Sequence, residues 1–239
     1  MPALPTSQSG LPARQKKPHA RSTPMRLDFV SDIACPWCAI GLASLERALA
    51  ALGDDAARIE LHVQPFELNP DMEPGGVDAD SYLKAKYEIG DEELAANRAR
   101  LAQRGADVGF TFGTRSRVWN TFDAHRLLHW AAQQSQGAQK AVKRFLLAAY
   151  HRDGRDPSSR DVLLEAAAAA ALDAEAAAAV IDDPARFAAE VRAAEAEWQQ
   201  AGIRSVPALV IDGRYLVQGG QPPAVFERAL RERLAAQDA

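Results

Sequence analysis

Cys35-Pro36-Trp37-Cys38 is the stretch of this chain whose residue types and spacing could do chemistry. Two thiols three positions apart can form and break a disulfide with one another, and the attacking form of either is the thiolate. Zinc sites also begin with such a pair, but they need a second pair of ligands. These are the only two cysteines of the chain, so a metal here would be half-coordinated. Free cysteine also packs as a small, inert hydrophobe. What favours redox chemistry over that use is the sequence on either side of the motif.

Upstream, Leu27, Phe29 and Val30 form a short apolar, β-prone run. Downstream, Cys38, Leu42, Leu45, Leu49 and Leu52 recur at three- and four-residue spacing, which predicts one face of a helix. The motif therefore lies where a strand turns into a helix. Pro36 is tolerated in a first helical turn, where its missing N–H loses no intrahelical acceptor, and Cys35 falls at or just before that turn. Free N–H groups and the positive end of the helix dipole favour a thiolate there, so the pKa of Cys35 is expected below the ~8.5 of free cysteine. Cys35 is the candidate nucleophile. Cys38, one turn on and on the same face, is the candidate resolving thiol.

The remaining elements must hold that turn in place. Ile59, Leu61 and Val63 alternate with Glu60, His62 and Gln64, which predicts a half-buried strand with His62 on its solvated side. Strand, helix and strand with a connection of this length form a right-handed parallel unit. The Cys35 turn then sits at the carboxyl end of the first strand, where ligands of open α/β sheets gather. Residues 69–76 are rich in Pro and Gly and read as a loop leaving the sheet.

From there to about residue 200 the signal is helical, over 79–88, 91–104, 121–135, 138–150, 159–171, 174–181 and 185–199. Phe110, Phe112 and Trp119 read as core, while Asn120 and His125 are the hydrogen-bonding groups expected to face a substrate cleft. His125 and His129 have the i, i+4 spacing of metal ligands but lack the glutamate of HExxH and a third ligand, so no metal is expected.

The chain then returns to β structure. Val206-Pro207 precedes an apolar β-branched run, Asp212-Gly213 is a two-residue hairpin signal, residues 214–217 return antiparallel, and Pro222-Pro223 starts a final helix. A proline at a strand mouth fits an edge strand or strand start. It also fits a cis bond that leaves the backbone of Val206 free to pair with an extended peptide.

The order CPWC, helical insertion and Val-Pro-strand-hairpin-helix resembles the thioredoxin fold in its DsbA-like branch. More narrowly, SDIACPWCAIG, PFELNP, NTFDAHRLLHWA and VPALVIDGRYLVQGGQP resemble the cytoplasmic FrnE-like subfamily. The resemblance covers about residues 25–234. It implies an α/β thioredoxin fold formed by 25–70 and 202–239, with a large all-helical insertion, 71–201, between its βαβ and ββα units. It also implies thiol-disulfide exchange, with Cys35 as nucleophile, Cys38 resolving and Pro207 cis beside them. Substrate contacts are expected from Pro36, Trp37, Val206, Pro207, Asn120 and His125. The partners implied are protein or small-molecule thiols and disulfides, with no cofactor beyond the redox-active disulfide and with glutathione as a candidate co-substrate. Ala39 departs from the tyrosine that related sequences often carry after the motif.

Kappa-class glutathione transferases and 2-hydroxychromene-2-carboxylate isomerases share the architecture but use a serine near the first-cysteine position, and neither chemistry needs a resolving thiol. A binding protein whose cysteines only sense redox state is the third reading. Composition narrows the partners: with 47% hydrophobic and 25% charged residues and a formal charge of -4 over 239 residues, the chain carries no basic footprint for nucleic acid or an acidic membrane surface. No apolar run approaches a membrane span. Residues 1–24, polar and without periodicity, read as a disordered tail that lacks the apolar core of a secretory signal, so a cytoplasmic location is expected.

Overall fold

The near-continuous apolar run at the first strand demands burial on both faces, and the chain provides it. In the computed structural model, which describes residues 23–238, β1 (Met25–Ser31) is central, with β2 (Ile59–Pro65) parallel on one side. The expected tail lies, but for residues 23 and 24, outside the described residues. Between the two strands, α1 (Pro36–Ala51) buries Cys38, Ala39, Leu42, Leu45 and Ala48. Gly53, at φ 59°, ends that segment in a conformation that a side chain would disfavour, and a 3-10 turn leads into β2.

The insertion follows as β3 (Val77–Asp78), α2 (Ala79–Tyr87), α3 (Asp91–Val108), β4 (Arg117–Val118), α4 (Phe122–Gln134), α5 (Gln136–His151), α6 (Arg160–Ala169), α7 (Ala174–Asp182) and α8 (Ala188–Gln200). Local caps explain several of its starts: Asp78, Ser135, Ser159 and Asp173 each accept a backbone N–H three residues on. The β3–β4 ladder, two residues long on each strand, has no apolar period and was not expected from sequence.

β5 (Ala208–Ile211) then pairs antiparallel with β1, and β6 (Tyr215–Gln218) with β5, before α9 (Pro223–Gln237). The sheet order is β2-β1-β5-β6. Asp212 and Gly213 both take positive φ, as a two-residue hairpin turn requires. His62 is half-buried rather than solvated, with its ring near the Gln136 amide (3.4 Å).

Two cores interlock at the motif. One, with Met25, Leu27, Phe29, Leu45, Phe226 and Leu230, lies between the sheet and the helices α1 and α9. The other, with Leu127, Leu128, Trp130, Leu146, Leu163 and Val180, fills the insertion. Ile33 and Ala34, directly before Cys35, belong to the insertion's core, whereas Leu147 of α5 belongs to the sheet's. The helical block thus packs against the turn that carries the cysteines. No helix among the described residues is long and apolar enough to cross a membrane.

Candidate active site

Cys35 is the N-cap of α1, in extended backbone conformation, with Pro36 opening the helix. Its thiol donates to the carbonyl of Val206 (3.5 Å), and the Val206–Pro207 peptide bond is cis. Pro207 reaches α1 because Gly41 has no side chain: a Cβ there would lie 2.9 Å from Pro207 Cγ and 3.4 Å from Phe29 Cζ. Val206, Pro207, Cys35 and Gly41 are brought together from the two ends of the chain.

A cleft of about 900 Å³ opens from this point, lined by Cys35, Pro36, Trp37 and Val206 on the sheet side and by α2 and α3 opposite, among them Tyr82, Leu83, Leu94 and Leu101. Its charged lining is mostly cationic. Arg98 is neutralised by Asp80, while Lys86, Arg100, Arg115 and Arg204 donate to carbonyls or amide oxygens rather than to carboxylates. This contrasts with the net negative charge of the whole chain. Phe112, expected as core, lines the cleft and meets the His151 ring edge-on. Phe110 and Trp119 are partly buried against the two cores.

Behind the motif the molecule is sealed. Asp32, fully buried, accepts from the N–H of Ala34 (3.1 Å), the N–H of Leu68 (2.7 Å) and the Thr121 hydroxyl (2.8 Å), and His125 Nε2 lies 3.4 Å away. Burial, the largest influence, pushes this carboxyl up, but His125 and the two backbone donors outweigh it and hold it below the usual range. His151 Nε2 donates to the carbonyl of Ile33 (2.8 Å); burial, with Arg115 nearby, keeps its ring neutral. Arg115 donates to the carbonyl of Ala34 (3.2 Å). Lys143, also fully buried, donates from Nζ to the carbonyl of Ser31 (3.3 Å), and burial pushes its pKa down to about 8.

Both cysteines are free thiols and buried, yet their environments pull them apart. The Cys38 thiol, by hydrogen bonding to the Cys35 sulfur, is the largest influence on Cys35; the N–H groups of Cys38 and Trp37 add to it, and together they lower the Cys35 pKa against burial. The direction is the one read from the helix start, but the partner thiol contributes more than the helix end. Burial and the Cys35 sulfur push Cys38 well up.

Asn120 and His125 require correction. Asn120 donates to the carbonyl of Met72 (2.9 Å) and accepts the N–H of Phe122 (2.8 Å), tying down the start of α4. His125 is buried on Asp32, and neither lines the cleft. Hydrogen-bonding residues beside aromatics look like a binding surface in sequence, but here long-range partners consume them. His129, one turn on from His125, has its ring 5.3 Å from that of Phe187, tilted by 39°. Conversely, Asp32, Lys143, Arg115 and His151 drew no attention in sequence. Lys143 could have been noticed as a lysine within the apolar stripe Val142, Leu146, Leu147 and Tyr150.

This geometry can be set beside known proteins. The model of the DSBA-like thioredoxin domain matches residues 26–231. The chain belongs to that family. A solved DSBA-like structure, a probable DsbA oxidoreductase from Streptomyces coelicolor, is 38% identical, with a TM-score of 0.80 over 88% of this chain and 90% of that one. Two further structures share the fold: the cytosolic disulfide reductase DsbM from Pseudomonas aeruginosa with GSH (19% identity, TM-score 0.61, 88% and 99% covered) and a 2-hydroxychromene-2-carboxylate isomerase (15%, 0.62, 89% and 97%). No curated protein matches the chain. Membership in the DSBA-like family carries an enzyme of the oxidoreductase or isomerase type.

Proposed function

We propose that the protein is a thiol-disulfide oxidoreductase of the FrnE-like kind, acting in the cytoplasm, in which Cys35 attacks and Cys38 resolves. One observation carries the reading: within a single CPWC turn, the thiol at the cleft is pushed down in pKa while its partner is sealed and pushed up. An attacking sulfur must ionise in reach of substrate, and a resolving one must wait.

In the exchange step the Cys35 thiolate attacks a substrate disulfide, forming a mixed disulfide and releasing one substrate thiolate. The Cys38 thiolate then attacks the Cys35 sulfur, closing the Cys35–Cys38 bond and releasing the second. Pro36, Trp37 and Val206 border the substrate, and Pro207 holds Val206 beside the sulfur. A transferase or isomerase would have no use for the second thiol.

Anionic small thiols such as glutathione fit the cleft as co-substrates because its unpaired lining charges, Glu93 apart, are cationic. Turnover of insulin disulfides with a dithiol as reductant tests the reading. Cys35→Ser is expected to abolish turnover, and Cys38→Ser to accumulate a mixed disulfide through Cys35. Alkylation of Cys35 should titrate below the ~8.5 of free cysteine. Trapping through Cys38 in Cys35→Ser, or no turnover by the wild type, would overturn the assignment.

A further inference from the structure

Arg115 stands apart from the other cations of the cleft. Lys86, Arg98, Arg100 and Arg204 are exposed residues of its lining, whereas Arg115 is half-buried. The chain that carries it is fixed from behind. The N–H of Gly113 donates to the carbonyl of His151 (2.9 Å), a Cβ at Gly113 would overlap the carbonyl of Arg152, and one at Gly154 would lie 2.7 Å from the carbonyl oxygen of Thr114. Two glycines thus let residues 113–115 lie directly on the end of α5. The side chain is fixed as well: its guanidinium carbon is 5.2 Å from the centre of the Tyr150 ring, and Nη1 donates to the carbonyl of Ala34 (3.2 Å). That carbonyl belongs to the peptide bond that joins Ala34 to Cys35. The guanidinium is therefore one peptide unit from the residue that attacks substrate. Among the described residues no carboxylate forms an ion pair with it; Glu93, also in the lining, is an exposed residue in the first turn of α3. His151 beside it is neutral and turned to the carbonyl of Ile33. A guanidinium carries five N–H donors in a planar fork that matches a carboxylate, and the Ala34 carbonyl engages only one edge of it.

We propose that Arg115 is a specificity-determining residue of the exchange, holding the carboxylate of a small thiol or disulfide whose acid group lies a few bonds from the reacting sulfur. The proposal rests on the exchange reading given above. The gap to be bridged is a peptide unit plus a hydrogen bond, so the acid group is on the same small molecule as the sulfur. A half-buried, pre-placed cation pairs with an anion more strongly than a flexible exposed one, and salt screens the pair less. Arg115 therefore selects at the sulfur, while Lys86 and Arg204 act at the rim. The step it serves, run toward reduction of the protein, is balanced. A first substrate thiolate attacks the Cys35 sulfur, the bond to Cys38 breaks, and Cys38 leaves with the electron pair and takes up a proton. A second thiolate attacks the substrate sulfur of the mixed disulfide and frees the Cys35 thiolate. The two thiols leave as one disulfide, oxidised by two electrons, and the protein is reduced by two.

The test reduces oxidised full-length protein with three thiols of different charge: 3-mercaptopropionate, 2-mercaptoethanol and cysteamine. Each rate is divided by that of the same thiol with bis(2-hydroxyethyl) disulfide, which removes differences in intrinsic nucleophilicity. The wild type is expected to favour 3-mercaptopropionate over 2-mercaptoethanol about fivefold or more, with cysteamine last, and to keep that order at about 0.5 M salt, where exposed charges are largely screened. Arg115→Gln should lower the preference about fivefold, and Lys86→Gln combined with Arg204→Gln should lower it less than twofold at the same salt. A variant that had merely disturbed the Cys35 turn would slow all three thiols alike and keep the preference, which would overturn the proposal. A larger fall in the Lys86 and Arg204 variant than in Arg115→Gln would overturn it too. The measurement on the wild type stands independently of whether the variants fold: no preference for the anionic thiol at about 0.5 M salt would also overturn it. If none of the three thiols reduces the Cys35–Cys38 disulfide, the exchange reading falls and the proposal with it. If all three reduce it at equal normalised rates, only the part assigned to Arg115 falls.

Discussion

Cys35 and Cys38 share one helical turn but face opposite kinds of surroundings. The Cys35 side is an open cleft of about 900 Å³, bordered by Trp37, Val206 and cationic side chains. The Cys38 side is closed: Cys38, Asp32 and Lys143 have no solvent exposure. The difference teaches how one motif obtains two unlike sulfurs. Helix position favours a thiolate at Cys35, and what packs against each sulfur widens the difference. On the cleft side charge is screened and exchangeable, while on the closed side each charge depends on a few fixed partners.

The largest way to break this contrast is to open the closed side. Asp32→Ala strips the acceptor from three well-made hydrogen bonds and from His125. Unpaired buried donors cost roughly 1–3 kcal/mol each, so a loss of about 3–5 kcal/mol in urea unfolding is expected. A loss below about 1 kcal/mol would mean that this carboxylate does not hold the loop. Because the folded protein keeps the Asp32 carboxyl below its usual range, its contribution is present above the unfolded pKa of ~3.9 and is lost as pH falls through the folded value.

A second substitution probes the seam between the two sides. Gly41→Ala brings a Cβ to 2.9 Å from Pro207 Cγ, part of a rigid ring. Overpacking of this kind costs about 1–3 kcal/mol, offset by about 0.5–1 kcal/mol from replacing a helical glycine. A net loss of about 1 kcal/mol is expected, with slower attack by Cys35 as Val206 moves. Unchanged melting and unchanged alkylation of Cys35 would show that the seam is compliant.

At the edge of the closed side, Glu67 shares Arg192 with Glu195, and each carboxylate leaves one buried oxygen without a partner. Burial first, and Glu195 second, push Glu67 up to about 7. The sign is opposite to that of Asp32. Stability is fully present below the unfolded value of ~4.3 and is lost as pH rises toward 7, because the folded state holds the extra proton. Screening through the half-exposed Arg192 limits the effect to about 1 kcal/mol between pH 5 and 7. Glu67→Gln should flatten that slope in denaturation series, and a slope that persists would place its source elsewhere.

The smallest effect is expected on the cleft side. Lys86→Gln combined with Arg204→Gln should raise KM for glutathione about two- to fivefold, with kcat little changed, and should weaken the dependence of the rate on salt. An unchanged KM and salt dependence would mean that the cationic rim does not select anionic thiols.

The helices of the insertion were legible because their apolar periods and caps are local. The expected helix bounds differ from the observed ones by up to four residues, and Ser135, expected as the end of one helix, is the cap of the next. The β3–β4 ladder escaped notice because two residues show no alternation. Asn120 and His125 were misplaced for another reason. Their hydrogen-bonding capacity is visible in sequence, but the partners that consume it, Met72 and Asp32, lie 48 and 93 residues away.

The sequence by itself determined the strand-to-helix turn that carries Cys35 and Cys38, the parallel strand after it and the proline before β5, since each follows from steric and periodic rules acting over a few residues. Only the tertiary structure decided which thiol faces the cleft, which carboxylate and ammonium are sealed behind the motif, and that α2 and α3 line the cleft opposite Trp37. Those outcomes depend on burial, and burial at this site is imposed by chain segments as distant as Ser31 and Lys143, 112 residues apart. A lysine's charge is written in the sequence. The solvent it loses is not.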